Sequence, residues 1–331
     1  MRSFAASGRM PRPFIRRIAT TGLALHALTL AAPARPAGLP AVAAPGIAVR
    51  CQNVVSLNRV RVLTVLPGET VTLEVVGSDQ GSGYVAQLAG GQLVPLGEGR
   101  WEWRSPSVPG LYPIQLDAAG GGKSVMLQAF VIVPFDRLQD GLLNGYRIGR
   151  YPEKPLRGLA DYIPPAGFVE VTRENENVMV SPHFRLGQFL CKQPAGSRKY
   201  VVLNERLLLA LEYILKRVNE AGYPATTFTI MSGYRTPAYN TSLGNVHYSM
   251  HQWGGAADIF IDENGDGMMD DLNGDGRSDI RDAELLYRLI DQAAAEPESQ
   301  GLIGGLGKYR ATDAHGPFVH IDVRQGRKAR W

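Results

Sequence analysis

The chain has 331 residues, 44 % hydrophobic and 20 % charged, with two cysteines and a formal net charge of +4. That length suffices for two domains, and that composition excludes a disordered chain or a small disulfide scaffold. The basic excess belongs to residues 1–44, which hold six arginines and no acid; beyond them 29 basic residues face 31 acids, a net of −2, which argues against a nucleic-acid protein.

Residues 1–44 read as an export signal. Arg12, Arg16 and Arg17 precede an apolar run over 18–32 that is too short to span a bilayer well. Small-residue cleavage sites follow at 32–34 and at 41–43, and an uncleaved anchor is the alternative. The expectation is an exported protein of the periplasm or cell envelope, with no membrane span once the signal is removed. Arg50 before Cys51 argues against lipid attachment there. In an oxidising compartment Cys51 and Cys191 are candidates for one disulfide between the two halves of the chain; two buried free thiols are the alternative.

From 48 to 136 short alternating runs predict strands over 60–66, 70–76, 84–88, 100–104, 111–116 and 125–133. Pro67-Gly68, Gly90-Gly91, Pro109-Gly110 and the glycines at 120–122 separate them. This pattern predicts an all-β, immunoglobulin-like sandwich, and Pro109-Gly110-Leu111-Tyr112 resembles the turn-then-tyrosine feature of such folds. No catalytic constellation falls here. Residues 137–193 read as an ordered connector punctuated by Pro152 and Pro164-Pro165.

Residues 194–331 predict an α+β domain, a small antiparallel sheet with segregated helices. Asn204 caps a helix that Gly222 ends, with Leu207, Leu208, Leu211, Ile214, Leu215 and Val218 as its core stripe. A strand over 227–231 leads to Ser232-Gly233-Tyr234-Arg235, and Thr236-Pro237 starts a second helix. Strands follow over 256–261 and 318–323, with a third helix over 282–296 between them.

The densest chemistry lies at 249–258, Ser-Met-His-Gln-Trp-Gly-Gly-Ala-Ala-Asp. His251 and Asp258 suit zinc, which takes imidazole and carboxylate ligands from such a segment and a third from elsewhere. Phe318-Val319-His320-Ile321-Asp322-Val323 alternates like a half-buried strand and puts His320 and Asp322 on one face. His251, Asp258 and His320 then form a set with an open fourth position, as in catalytic zinc sites. Asp322 is expected to orient a ligand imidazole.

Taken together, Ser-x-His, Gly-x-Ala-x-Asp-Ile, Val-His-Ile-Asp and the upstream Gly-Tyr-Arg resemble the zinc D-Ala-D-Ala carboxypeptidase family over about residues 181–331. The resemblance implies a hedgehog-like α+β fold and zinc-dependent hydrolysis of peptidoglycan stem peptides or cross-links, as carboxypeptidase or endopeptidase. It also implies that Arg235 faces the site and meets a substrate carboxylate or the developing oxyanion. Ser249 is read as supporting the site by a hydrogen bond or as capping a turn. The chain departs from the family at the general base: Pro317 and Phe318 stand where branches of the family carry Glu, Asp or His. His315, with Asp313 second, is the expected proton carrier.

The insertion over 262–284 carries nine acids against two arginines. Asp271, Asn273, Asp275, Arg277 (through its carbonyl), Asp279 and Asp282 match the oxygen spacing of a calcium loop, and Asp262, Asn264 and Asp266 begin a similar one. Gly304-Gly305-Leu306-Gly307 lacks the Lys-Ser/Thr of a phosphate loop and reads as a flexible rim. A competing reading, motivated by the missing carboxylate before His320, is a catalytically inactive, calcium-stabilised cell-wall-binding protein.

Overall fold

The computed structural model describes residues 47–77, 83–194, 196, 198–299, 301–326 and 328–331; the export-signal expectation over 1–44 lies outside them. Among the described residues no helix is long and apolar enough to cross a membrane. Among the described residues the protein is a mixed α+β structure with several sheets, most of their pairings antiparallel, and three α-helices.

The N-terminal part forms two five-stranded sheets. One runs Val54–Ser56, Val49–Cys51, Thr70–Val75, Arg100–Arg104, Gln92–Gly97; the other joins Val60–Val65, Ser124–Val131, Ile114–Ala118 and Tyr84–Leu88, with Gly110–Leu111 also paired to Ser124–Val131. Alternation sends Leu73, Trp101 and Trp103 from the first sheet and Leu63, Leu116 and Leu127 from the second into one core. The run expected over 111–116 breaks at Pro113, which has no N–H for the ladder: Gly110–Leu111 ends before it and Ile114–Ala118 starts after it.

Cys51 lies in the sandwich core and Cys191 in the core of the C-terminal part, both as buried free thiols. This corrects the expected Cys51–Cys191 disulfide. Each thiol packs among apolar side chains of a different cluster, and burial pushes Cys51 up to about 11, far from a reactive thiolate.

Residues 137–193 are more than a linker. Gly167–Val171 pairs with Lys199–Val201 and Val133–Pro134. Tyr146, Tyr151, Tyr162 and Phe168 share a cluster with Met250, Trp253 and Ala256.

The C-terminal part is a five-stranded sheet ordered Thr229–Ser232, Ala256–Phe260, Phe318–Asp322, Gly305–Tyr309, Ala329–Arg330. Helices α1 (Glu205–Glu220) and α3 (Ile280–Ala295) share a core with one face of it, where Leu211, Ile214, Leu286 and Ile290 join Ala257, Ile259, Val319 and Ile321. Asn204 caps α1 by accepting from the Arg206 N–H at 3.0 Å. Helix α2 (Pro237–Ser242) starts on Thr236, whose hydroxyl accepts from the Tyr239 N–H at 3.1 Å. The glycine-rich rim is a correction: Gly305–Tyr309 is a full strand between Phe318–Asp322 and Ala329–Arg330. Its glycines serve close approach, since a Cβ on Gly305 would run into the Asp322 carboxylate.

Candidate metal centre

Period two in the sheet decides which side chains meet. Ala257, Ile259, Val319 and Ile321 turn to the helices, so Asp258, His320 and Asp322 turn to the other face. Asp258 and His320 stand opposite one another in register on neighbouring strands. His251 comes from the single 3₁₀ turn Met250–Trp253, which Gly254 closes with φ +62°; a Cβ there would meet the Val202 carbonyl.

Three partners fix that turn. The Tyr151 hydroxyl donates to the Gln252 carbonyl at 2.8 Å, the Trp253 indole donates to the Ile163 carbonyl at 3.0 Å, and the Arg235 N–H donates to the His251 carbonyl at 3.1 Å. His251 Nδ1 donates to the Gly233 carbonyl at 2.6 Å, which leaves Nε2 to face the site.

His251 Nε2, His320 Nδ1 and Asp258 Oδ1 form a triangle with sides of 3.2, 2.8 and 3.3 Å. The three residues are 1, 8 and 2 % exposed, and theirs is the one group of His, Cys, Asp or Glu able to hold a metal ion among the described residues. A tetrahedral ion with ligand bonds of 2.0–2.1 Å spaces its donors about 3.3–3.4 Å apart, so the triangle fits one after small adjustment. Lone pairs crowded so closely need a shared positive charge. Burial opposes a proton on His320, yet hydrogen bonds to Asp258 and Asp322 outweigh it and lift the imidazole to about 9. Burial pushes His251 down, and burial would raise Asp258, but the two imidazoles beside it hold it far below the usual carboxylate range. The group of three could hold a metal ion.

Asp322 lies behind His320, with Oδ2 3.3 Å from Nε2. It accepts from the Gly305 N–H at 2.9 Å and from Arg324 Nε at 2.7 Å, so its own position is fixed. Arg235 stands at the site, but its guanidinium is engaged: it pairs with the outer oxygen of Asp258, and Nε donates to the Ser232 hydroxyl at 2.7 Å. Ser249 precedes the 3₁₀ turn, and its side chain makes no capping hydrogen bond.

The two proton-carrier candidates are not part of the triangle. His315 turns Nδ1 to the Gly316 carbonyl at 2.8 Å and sets its ring edge-on to Phe318. Asp313 is exposed at the turn between Thr312 and His315. Neither joins the metal group. His315 contacts the strand at Phe318, two residues before His320.

No family model matches this chain, and no curated protein matches it.

The calcium-loop residues hold their turns without gathering. Asp271 accepts from the Gly274, Asp275 and Gly276 N–H groups, and Asp282 accepts from Leu272, Asn273 and Asp279. Asp262 repeats the first pattern with Gly265, Asp266 and Gly267. Asp275 and Asp279 instead pair with Arg281 at 2.7 and 2.8 Å.

Residues that sequence reading passed over complete the metal face. Tyr309 stacks on Phe318 at 4.6 Å, the Trp331 indole donates to the Tyr309 hydroxyl at 2.5 Å, and the Trp331 ring lies 5.4 Å from His320. Gly307 makes room for it, since a Cβ would strike the indole. No sequence signal pointed to this contact, since Trp331 stands 24 residues beyond Gly307.

Proposed function

We propose that this protein is an exported zinc-dependent peptidase that hydrolyses peptide bonds in peptidoglycan stem peptides or cross-links. The observation that carries the reading is the buried His251–Asp258–His320 triangle on the face of the sheet turned away from the helices. Two imidazoles and one carboxylate suit zinc, and three protein ligands leave a position for chemistry. When bound there, zinc supplies Lewis-acid chemistry, polarising a carbonyl and acidifying water. Asp322 keeps His320 in the tautomer that offers Nδ1, and the Gly233 carbonyl does the same for Nε2 of His251. Arg235 holds the Asp258 carboxylate in place and sets a fixed positive charge beside the site. Substrate class rests on the motif resemblance to the zinc D-Ala-D-Ala carboxypeptidases.

The sandwich reads as immunoglobulin-like, supported by the Tyr112 hydroxyl donating to the Val108 carbonyl four residues upstream at 3.1 Å. The 262–284 insertion reads as calcium-stabilised, supported by its twice-repeated loop pattern.

A second reading, a wall-binding protein without turnover, is favoured by one observation: neither His315 nor Asp313 joins the metal group. Digestion of purified peptidoglycan separates the two. Release of peptide fragments that stops with chelator and returns with zinc supports the peptidase. Binding to the polymer without release in either condition supports the alternative.

A further inference from the structure

A cavity of about 280 Å³ lies at the Phe260 end of the strand that carries Asp258, lined by Lys192, Met231, Phe260, Met269 and His315 among others. Thr229 and Phe260, which oppose one another in register, also line it, and Phe260 is two residues beyond Asp258. Residues two apart on a strand share a face and lie about 7 Å apart. An extended peptide with its reacting carbonyl at the triangle therefore reaches this cavity with a side chain on the same side of its backbone. The volume is below the roughly 300–1,000 Å³ of whole-ligand pockets, so it fits one residue.

Its charge is one-sided. No acid lines the cavity, and Lys192 is exposed there with no ion pair among the described residues. The chain holds Lys192 against the site from both sides: the Tyr234 N–H donates to the Phe189 carbonyl at 2.9 Å, and the Thr236 hydroxyl donates to Gln193 Oε1 at 2.7 Å. Arg235, the other cation in this segment, is occupied by Asp258 and Ser232. Lys192 is the lysine on the cavity wall that faces a ligand, and Met231, Met268, Met269 and Phe260 offer soft walls for an aliphatic stem.

We infer that this cavity is a specificity subsite for a peptide residue whose side chain ends in a free carboxylate, with Lys192 as its counter-ion. The inference rests on the peptidase reading of the same face. Calorimetric titration of the full chain with two synthetic stem-type tetrapeptides tests it: one carries a free side-chain carboxylate, and its twin carries a carboxamide. The wild-type protein is expected to bind the acid about tenfold more tightly, Lys192→Ala to bind both as it binds the amide, and Lys192→Arg to keep the preference, all with zinc content unchanged. Equal binding of the two peptides by wild type, no binding of either, or a preference that survives Lys192→Ala overturns the subsite. Incubating both peptides with the zinc-loaded protein separates this from the parent reading. Lys192-dependent binding without cleavage leaves the subsite standing and removes the peptidase; cleavage of both peptides without preference does the reverse.

Discussion

At His320 two carboxylates contend with burial for one imidazole, and they win: the ring is lifted to about 9. A proton and a metal ion then compete for Nδ1. Below about 9 the proton must leave before the ion can bind, so affinity falls as pH falls, by about tenfold per unit, and binding releases a proton. Zinc titrations at pH 6.5, 7.5 and 8.5 in buffers of different ionisation enthalpy read both quantities; a flat affinity across that window contradicts the assignment of Nδ1. Asp322 acts through the same ring. Asp322→Asn keeps the shape but loses the charge behind Nε2, so zinc affinity is expected to drop by about 10–100-fold in direct zinc titration. The shared face of His320 and Asp322 was legible because a strand's alternation fixes which residues share a face. Arg235 was legible in place and not in partner: nothing in a Gly-Tyr-Arg run says that Asp258 will stand within reach.

Among the elements, sequence punctuation worked where it acts locally. Asn204 and Thr236 cap the helices they precede. It failed at Gly305–Tyr309, where glycines serve as clearance for Asp322 and Trp331 instead of marking a loop. The 262–284 insertion carries its own prediction. Arg281 pairs with Asp275 and Asp279 from a half-exposed position, and such pairs are worth about 0–1 kcal/mol. Calcium at ten times its Kd stabilises by about 1.4 kcal/mol, enough to displace that guanidinium. The melting midpoint is expected to rise by a few degrees in millimolar calcium, at roughly 2–4 °C per kcal/mol. An unchanged midpoint leaves Arg281 as the loop's resident cation.

Across the whole molecule, the sandwich and the α+β part share more than a chain. Val62, Phe130 and Ile132 of the sandwich lie in the same core as Leu211 of α1 and Ile259 of the sheet. Arg61, fully buried, donates to the Val49 carbonyl at 2.5 Å and pairs with Glu205 of α1 at 2.6 Å. Burial raises the Glu205 carboxyl against the pull of Arg61, so Glu205 depends on that guanidinium for its charge. Arg61→Ala is expected to cost about 3–5 kcal/mol, read as a lower denaturant midpoint, whereas Arg61→Met combined with Glu205→Leu recovers most of it. Loss confined to a separate early transition would show that the two parts unfold independently. No sequence pattern announces such a pair, because its partners lie 144 residues apart.

The fused core also limits how this chain can be inherited or rebuilt. A recombination event that joined the metal-bearing half to another N-terminal module would strip α1 of the apolar cover that Val62, Phe130 and Ile132 provide. It would leave Glu205 without Arg61 as well. Fragments expressed from either side of residue 137 would each carry a freshly bared greasy seam and a tendency to aggregate. The orientation of the sandwich is thereby coupled to the architecture beneath the metal centre, and any lineage that exchanges one half must mend the seam in the other.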